Sequence, residues 1–453
     1  MILRSINPYT DEIIKEFEEY SDKQVDNLII NSGEAFEKWR RTSPDYRISL
    51  LQNVAGTLRN NINKYAGSIT SEMGKVLTES KVEIEKCAWL CDYYAGITKE
   101  YLKRETVVTD ADVSYVSYEP LGTVLGIMPW NFPFWQVFRF AVPTLMAGNS
   151  VLLKHASNVQ ICARDIERIF TGSGLPPGVF QNLVIGSEKV GGVIKNNYIK
   201  AVSLTGSEFA GQKVARTAGG VIKKSVLELG GSNAFIVLED ADIHKAVETG
   251  IKARMQNAGQ SCIAAKRFII HKNIREKFMG LFISGIKKLK TGDPLNESTD
   301  MGPLASIDQA EKVEQQVKLS IEKGARLILG GIRNQSFYQP TLLTDVRPGM
   351  PVFDEEVFGP VAPVIIAENY PEAIALANHT KFGLGVSLFT NDLRKADEMV
   401  SEFHDGAVFI NSLVKSDPRL PFGGTRHSGY GRELAIQGIR EFVNIKTVYI
   451  KRL

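Results

Sequence analysis

The sequence predicts an α/β protein made of two parallel-sheet units and a small β arm. Three observations lead there. From Gly122 onward, short apolar runs alternate with helical stretches, as parallel strands joined by crossover helices do. A second alternation of the same kind begins near Asn233. Two segments rich in β-branched residues, Glu105 to Glu119 and Val443 to Leu453, belong to neither and read as extended ribbons. The boundaries that follow are 1–101 with 121–230 for the first unit, 231–431 for the second, and 102–120 with 432–453 for the arm.

The chain opens with a short strand and turn, Ile6-Asn7-Pro8-Tyr9-Thr10. Apolar residues at three- and four-residue intervals then predict helices over Val25 to Trp39, Tyr46 to Ala66 and Lys81 to Glu100. Strands of the first sheet are predicted at Thr123 to Met128, Ser150 to Lys154, Gln181 to Ile185, Ala201 to Thr205 and Lys224 to Leu229. Those of the second are predicted near Asn233 and at Arg267 to His271, Ala325 to Gly330, Val361 to Ala367, Val386 to Thr390 and Ala407 to Asn411. Ligands of such sheets bind beyond the carboxyl ends of the strands. In the first sheet those ends carry Pro129-Trp130-Asn131, Lys154-His155, Gly206-Ser207 and Glu228-Leu229-Gly230-Gly231. The unpaired edges of the ribbon and tail are suited to pairing across subunits.

The 453 residues, 43% hydrophobic and 23% charged, are ordinary for a globular chain that buries its own core. A net charge of +3 is too small to argue for a nucleic-acid or membrane partner. Four cysteines are too few for a disulfide framework and fit a reducing compartment. No basic region followed by a long apolar run opens the chain, so the expected location is the cytoplasm. Cys87 and Cys91 share a helical face and read as core filling. The six histidines show no metal-ligand spacing, and no metal is expected.

Chemistry concentrates in Gln256-Asn257-Ala258-Gly259-Gln260-Ser261-Cys262, a loop of small and amide residues after a helical stretch from Ala241 to Met255. Gly259 permits a turn that a side chain would block. A lone cysteine is more often a small buried hydrophobe than a nucleophile. Its neighbours in the fold decide between the two. Glu228 ends a strand, where a carboxylate is either a general base or a structural cap. Asn131, held between two prolines, offers a stiff amide donor of the kind an oxyanion hole needs. Thr205-Gly206-Ser207 leads into a helix, and Gly211 allows close packing there; without a G-x-G-x-x-G pattern this is a weak anion site. Lys154 is either a ribose or phosphate ligand or a surface lysine.

Taken together these stretches resemble the aldehyde dehydrogenase superfamily, especially its bacterial succinate-semialdehyde members. The resemblance rests on Pro129-Trp130-Asn131-Phe132-Pro133, Thr205-Gly206-Ser207, Leu227-Glu228-Leu229-Gly230-Gly231, Gly259-Gln260-Ser261-Cys262, Glu355-Glu356-Val357-Phe358-Gly359-Pro360 and Pro421-Phe422-Gly423-Gly424, in that order over nearly the whole chain. It implies that Cys262 attacks an aldehyde, that Asn131 and the Cys262 N–H hold the oxyanion, and that Glu228 activates water against the resulting thioester. It implies a nicotinamide cofactor, NADP or NAD, held by Pro129, Trp130, Lys154, Ser157, Gly206, Ser207, Gly211, Leu229, Glu356 and Phe358. Many NAD-preferring members carry Glu where this chain has Ser157, so acceptance of NADP is expected. Many members carry Lys where this chain has Phe140, paired with a glutamate matching Glu433; that relay is not expected here, which leaves Glu433 a structural role.

The resemblance also suggests a substrate. Arg139 stands where succinate-semialdehyde enzymes carry Arg and broad-range members an aromatic residue, and a guanidinium suits a distal carboxylate. Ser416 matches a serine that touches the same group, and Gln256 replaces an Arg found in some members. The expectation is oxidation of succinic semialdehyde by a homodimer or homotetramer. Broad-range or CoA-acylating aldehyde oxidation are the alternatives, with a non-catalytic protein on the same fold a distant third.

Overall fold

The computed structural model describes residues 1–452; Leu453, the end of the predicted tail, lies outside them. The first sheet has six strands in the order Gly429–Tyr430, Lys224–Glu228, Ile199–Thr205, Thr123–Met128, Ser150–His155 and Phe180–Asn182. Five are parallel, and Gly429–Tyr430 runs antiparallel at the edge. Every residue of Ser150–His155 is buried, which is why it reads as an apolar run rather than an alternation. Under this sheet lies an aromatic stack of Phe138, Phe170 and Phe180, with centroids 5.2 and 4.5 Å apart.

The second sheet has seven strands in the order Arg326–Leu329, Thr341–Thr344, Val361–Ala367, Ala265–His271, Asn233–Val237, Val386–Phe389 and Val408–Ile410. It is parallel except for Arg326–Leu329, which pairs antiparallel with Thr341–Thr344. Both sheets are therefore mixed at one edge, where all-parallel sheets were expected. Each antiparallel strand returns to its sheet from a distant or turn-connected segment whose own apolar pattern is short.

Three local expectations are corrected. Tyr46 to Ala66 is not one helix but two, Pro44–Asn60 and Ile62–Met73. Asn61 breaks them: its φ is −122° and its side chain donates to the Thr57 carbonyl at 2.9 Å, competing with the helix ladder. The opening strand is Ile2–Ile6 and pairs with an unexpected partner, Ile13–Glu18. The strand expected at Gln181 to Ile185 is confined to Phe180–Asn182.

The arm has the order Val443–Ile450, Val113–Pro120, Glu105–Thr106. Tail and ribbon pair with each other within the chain, in register from Val443 opposite Pro120 to Ile450 opposite Val113. That corrects the idea that both await a partner chain. Among the described residues the outer edge of Val443–Ile450 has no neighbouring strand, and Ile445 is 64% exposed. Among the described residues no helix is long and apolar enough to cross a membrane.

Candidate active site

The loop before Cys262 is held in a conformation L residues rarely adopt. Asn257, Ala258 and Gly259 follow one another at φ 54°, 51° and 75°. A Cβ at Gly259 would stand 2.3 Å from the Gly359 carbonyl oxygen, so only glycine fits. Polar contacts fix the turn from every side. Glu79 accepts the Asn257 N–H at 2.8 Å, and Asn257 Nδ2 donates to the Asn131 carbonyl at 2.7 Å. Arg254 Nη2 reaches the carbonyls of Gly259, Val357 and Gly359. Lys266 Nζ donates to the Ser261 and Cys262 carbonyls, both at 2.8 Å, and to Glu356 at 3.0 Å. Two buried cations thus clamp the loop, where their hydrogen bonds offset the cost of desolvation.

Cys262 ends this loop at the meeting point of two cavities. Among the described residues it and Gln136 are the two that border both. The larger, of about 490 Å³, is a cleft over the carboxyl ends of the first sheet. Pro129, Trp130, Asn131, Gly206, Ser207, Leu229, Glu356 and Phe358 all line it. The smaller, of about 380 Å³, lies on the other side of the sulfur and is lined by Arg139, Gln256 and Ser416. The other three cysteines are buried in the core. Burial raises the Cys262 thiol above its ordinary value, while Arg139 and Lys266 pull it back down.

Asn131 and Cys262 line the same cleft. Asn131 Nδ2 donates one hydrogen bond to the Gln260 carbonyl at 3.1 Å, which leaves its second N–H free. The backbone N–H of Cys262 has no acceptor among the described residues.

Glu228 borders neither cavity. It is buried, with no hydrogen-bond partner for either oxygen, and Glu433 sits close by. Burial first, and the Glu433 charge second, hold its carboxyl well above the usual carboxylate range. Glu433 is also raised by burial, and Arg139 opposes that. Arg139 is 1% exposed, forms an ion pair with Glu433, and lays its guanidinium 4.5 Å from the Phe422 ring centroid. So Arg139 borders the smaller chamber but is already committed to a carboxylate. Glu433 has a cationic partner after all, one residue before the position expected to supply it. Phe140 instead fills the space left by Gly126, where a Cβ would meet its ring at 2.4 Å, and packs edge-on against Phe442.

The cleft fits a dinucleotide by its shape and its donors. Ser207 caps the helix Glu208–Gly219, whose N-terminus opens toward the cleft and favours an anion. A Cβ at Gly206 would meet only the Leu204 side chain, at 3.6 Å, and Gly206 lines the cleft. Gly211 does not line the cleft; a Cβ on it would strike Leu229 at 2.6 Å, so its role is packing. Trp130 and Phe358 meet edge-to-face at 5.7 Å and form one wall. Lys154 and Ser157 line neither cavity, although both lie at the end of Ser150–His155. Lys154 forms no ion pair among the described residues, and burial lowers its pKa.

Sequence reasoning missed Glu79, Lys86, Arg254 and Lys266. Their helices and strands were read as ordinary amphipathic elements, in which a charged residue counts as solvent-facing. The one available signal was spacing: Glu79, Glu83 and Lys86 stand on one face of Leu77–Tyr101.

Residues 2–448 match the aldehyde dehydrogenase family. The chain belongs to that family. A relative from Synechocystis sp., a probable NADP(+) succinate-semialdehyde dehydrogenase, is 47% identical over 99% of this chain and 100% of its own. A succinate semialdehyde dehydrogenase from Escherichia coli K12, described as using NAD(P)+, is 43% identical over 99% of this chain and 98% of its own. The crystal structure of succinic semialdehyde dehydrogenase from Streptococcus pyogenes with NADP+ superposes with a TM-score of 0.97 at 36% identity, covering 99% of this chain and 100% of that one.

Proposed function

We propose that this aldehyde dehydrogenase oxidises succinic semialdehyde to succinate, with NADP preferred over NAD. The observation that carries it is the place of Cys262 between a cleft shaped for a dinucleotide and a second chamber lined by cations. An aldehyde entering that chamber meets the sulfur at its inner end. The thiolate adds to the carbonyl carbon, and the free N–H groups of Asn131 and Cys262 stabilise the oxygen that becomes negative. The bound nicotinamide supplies the hydride acceptor. The acyl group then stays on Cys262 as a thioester until water releases it. Glu228 takes the proton of that water, for which it must turn from its buried position toward the sulfur. Gly206, Ser207, Glu356 and Phe358 would hold the cofactor, with Lys154 and Ser157 at its adenosine end. Ser157 in place of a carboxylate leaves room and charge for a 2′-phosphate. The Synechocystis relative is named for NADP(+), and the Escherichia coli one for NAD(P)+.

The test is a panel of aldehydes assayed with each cofactor in the absence of CoA. Succinic semialdehyde should give the highest kcat/KM, NADP should outdo NAD, and succinate should form. An NAD preference above about a hundredfold, or turnover that requires CoA, would defeat the reading.

The exposed edge of Val443–Ile450 supports assembly into a homodimer or homotetramer through strand pairing. Light scattering that returns the mass of a single chain at working concentration would rule this out. Four unpaired thiols suit a reducing compartment such as the cytoplasm.

A further inference from the structure

We infer that Glu79 is a positioning residue: it holds the turn that carries Cys262 in register with Asn131, and the helix Leu77–Tyr101 is the rigid element it acts from. The inference rests on the roles proposed above for Cys262 and Asn131, and it says what sets the spacing between them.

The turn needs holding. Asn257 and Ala258 stand at φ 54° and 51° without being glycine, a conformation that persists only where its surroundings impose it. Glu79 Oε2 accepts the N–H of Asn257, where the turn begins, at 2.8 Å. The Asn257 side chain carries the constraint onward. Its Nδ2 donates to the Asn131 carbonyl at 2.7 Å and to the Gln260 carbonyl at 3.1 Å. Asn131 Nδ2 donates to that same Gln260 carbonyl at 3.1 Å. Gln260 Nε2 returns to the Asn257 carbonyl at 3.2 Å. A shift of the Asn257 backbone therefore moves the oxyanion amide and the residues just before Cys262 together. This ring is tied to the second unit by the Ala305 N–H, which Gln260 Oε1 accepts at 2.9 Å, and to the helix by Glu79.

The helix is a firm base. Its Ile84, Cys87, Ala88, Leu90 and Cys91 are buried in the core of the first unit. One turn after Glu79, Glu83 reaches the other side of the site. It accepts the N–H groups of Phe134 and Trp135, both at 2.9 Å, at the start of a helix, Trp135–Met146, that has no side-chain cap of its own. Lys75 pairs with Glu83 and lies 3.7 Å from the ring centroid of Phe132, the residue after Asn131. One helix thus grips the nucleophile's turn through Glu79 and the oxyanion segment through Glu83. Glu83 and Lys75 are both deep in the core, so replacing either would report on folding. Glu79 is half-buried and can be changed with less disturbance.

Burial pushes the Glu79 carboxyl up to about 7; Lys75, the Asn257 N–H and Lys252 oppose this, and Glu83 adds to it. Near neutrality only part of the population is charged, and the acceptor oxygen is what the group offers in either state. Glu79 also borders the smaller chamber. A charge there would act on the affinity of an anionic substrate, whereas a hold on the turn acts on the rate.

The experiment separates reach from charge. Glu79→Gln keeps an oxygen at the same distance and loses the charge. Glu79→Asp keeps the charge and falls one methylene short. Both are assayed with NADP on succinic semialdehyde and on butyraldehyde, an uncharged analogue of equal length. Glu79→Asp should lower kcat by roughly 10–100-fold on both aldehydes, the scale of a misplacement of about 1 Å, with KM for NADP unchanged. Glu79→Gln should keep kcat within about threefold of the wild type, since it retains the hydrogen bond. Amide hydrogen exchange over residues 256–262 should be slow in the wild type and in Glu79→Gln, and faster in Glu79→Asp. Wild-type kcat in Glu79→Asp, a loss in Glu79→Gln as large as in Glu79→Asp, or a change confined to KM for succinic semialdehyde would overturn the assignment. If Glu79→Asp does not fold, the other two proteins decide: rapid exchange of 256–262 in the wild type, or a large loss of kcat in Glu79→Gln, overturns it. A Cys262→Ala variant with wild-type activity would instead sink the chemistry proposed for Cys262, and this role of Glu79 with it.

Discussion

Cys262→Ala should leave a folded protein whose aldehyde oxidation is lower by roughly 10⁴-fold or more, the scale seen when a covalent nucleophile is deleted. The fold should survive because Cys262 packs only at the margin of the core, with part of its surface facing the cavities. The same variant gives a thiol count that does not depend on turnover. A polar alkylating agent should modify one cysteine per chain in the native wild type and none in the variant, against four and three in denaturant. Burial holds the Cys262 thiol above its ordinary pKa, so less thiolate exists at neutral pH and alkylation should accelerate as pH rises. Modification of the variant at the wild-type rate, or residual activity near the wild-type level, would remove position 262 from the chemistry.

The second large effect is expected at Glu228. Glu228→Gln should lower steady-state turnover by about 10²–10⁴, the range for loss of a general base. The first turnover should persist, so reduced cofactor should appear as a burst close to one equivalent per active site. The pH profile adds an independent check. A carboxyl raised by burial and by Glu433 becomes a base only above the usual carboxylate range. Wild-type turnover should therefore rise with pH through a higher window than a free carboxylate would give, and the variant should lose that rise. Stability should respond with the opposite sense. The folded state keeps a proton on Glu228 that the unfolded chain releases, so wild-type stability falls as pH rises above the ordinary carboxylate value. Glu228→Gln escapes that fall, and its Tm should exceed the wild type's by more at pH 8 than at pH 5. Loss of the burst along with turnover would show that Glu228 serves an earlier step.

How much of this was legible in the sequence differs from one residue to another. The buried strands Thr123–Met128 and Val361–Ala367 announce themselves as uninterrupted apolar runs, and both match the expected bounds. Strand ends follow from there, which is why Asn131, Gly206 and Glu228 could be singled out. The break at Asn61 was missed because apolar spacing continues across it, while a side-chain hydrogen bond to the backbone leaves no trace in that spacing. The edge strand Gly429–Tyr430 is two residues long and exists only because Leu227 and Glu228 are already in place. Buried cations are the hardest case. Lys86, Arg254 and Lys266 read in the chain as ordinary surface charges, and only the assembled fold shows that water has been taken from them.

The pairing of Arg139 with Glu433 has a consequence for reading related chains against one another. Where the resemblance leads one to expect a lysine, this chain carries Phe140, which the space beside Gly126 accommodates. The positive charge beside Glu433 comes from Arg139, one step earlier on the helix. Aligning columns would score the function as lost, whereas the electrostatic need is met by a neighbour. Substitutions at 126, 139 and 140 should therefore be inherited together, because an aromatic ring, a vacancy to receive it and a displaced cation form a single compensated exchange.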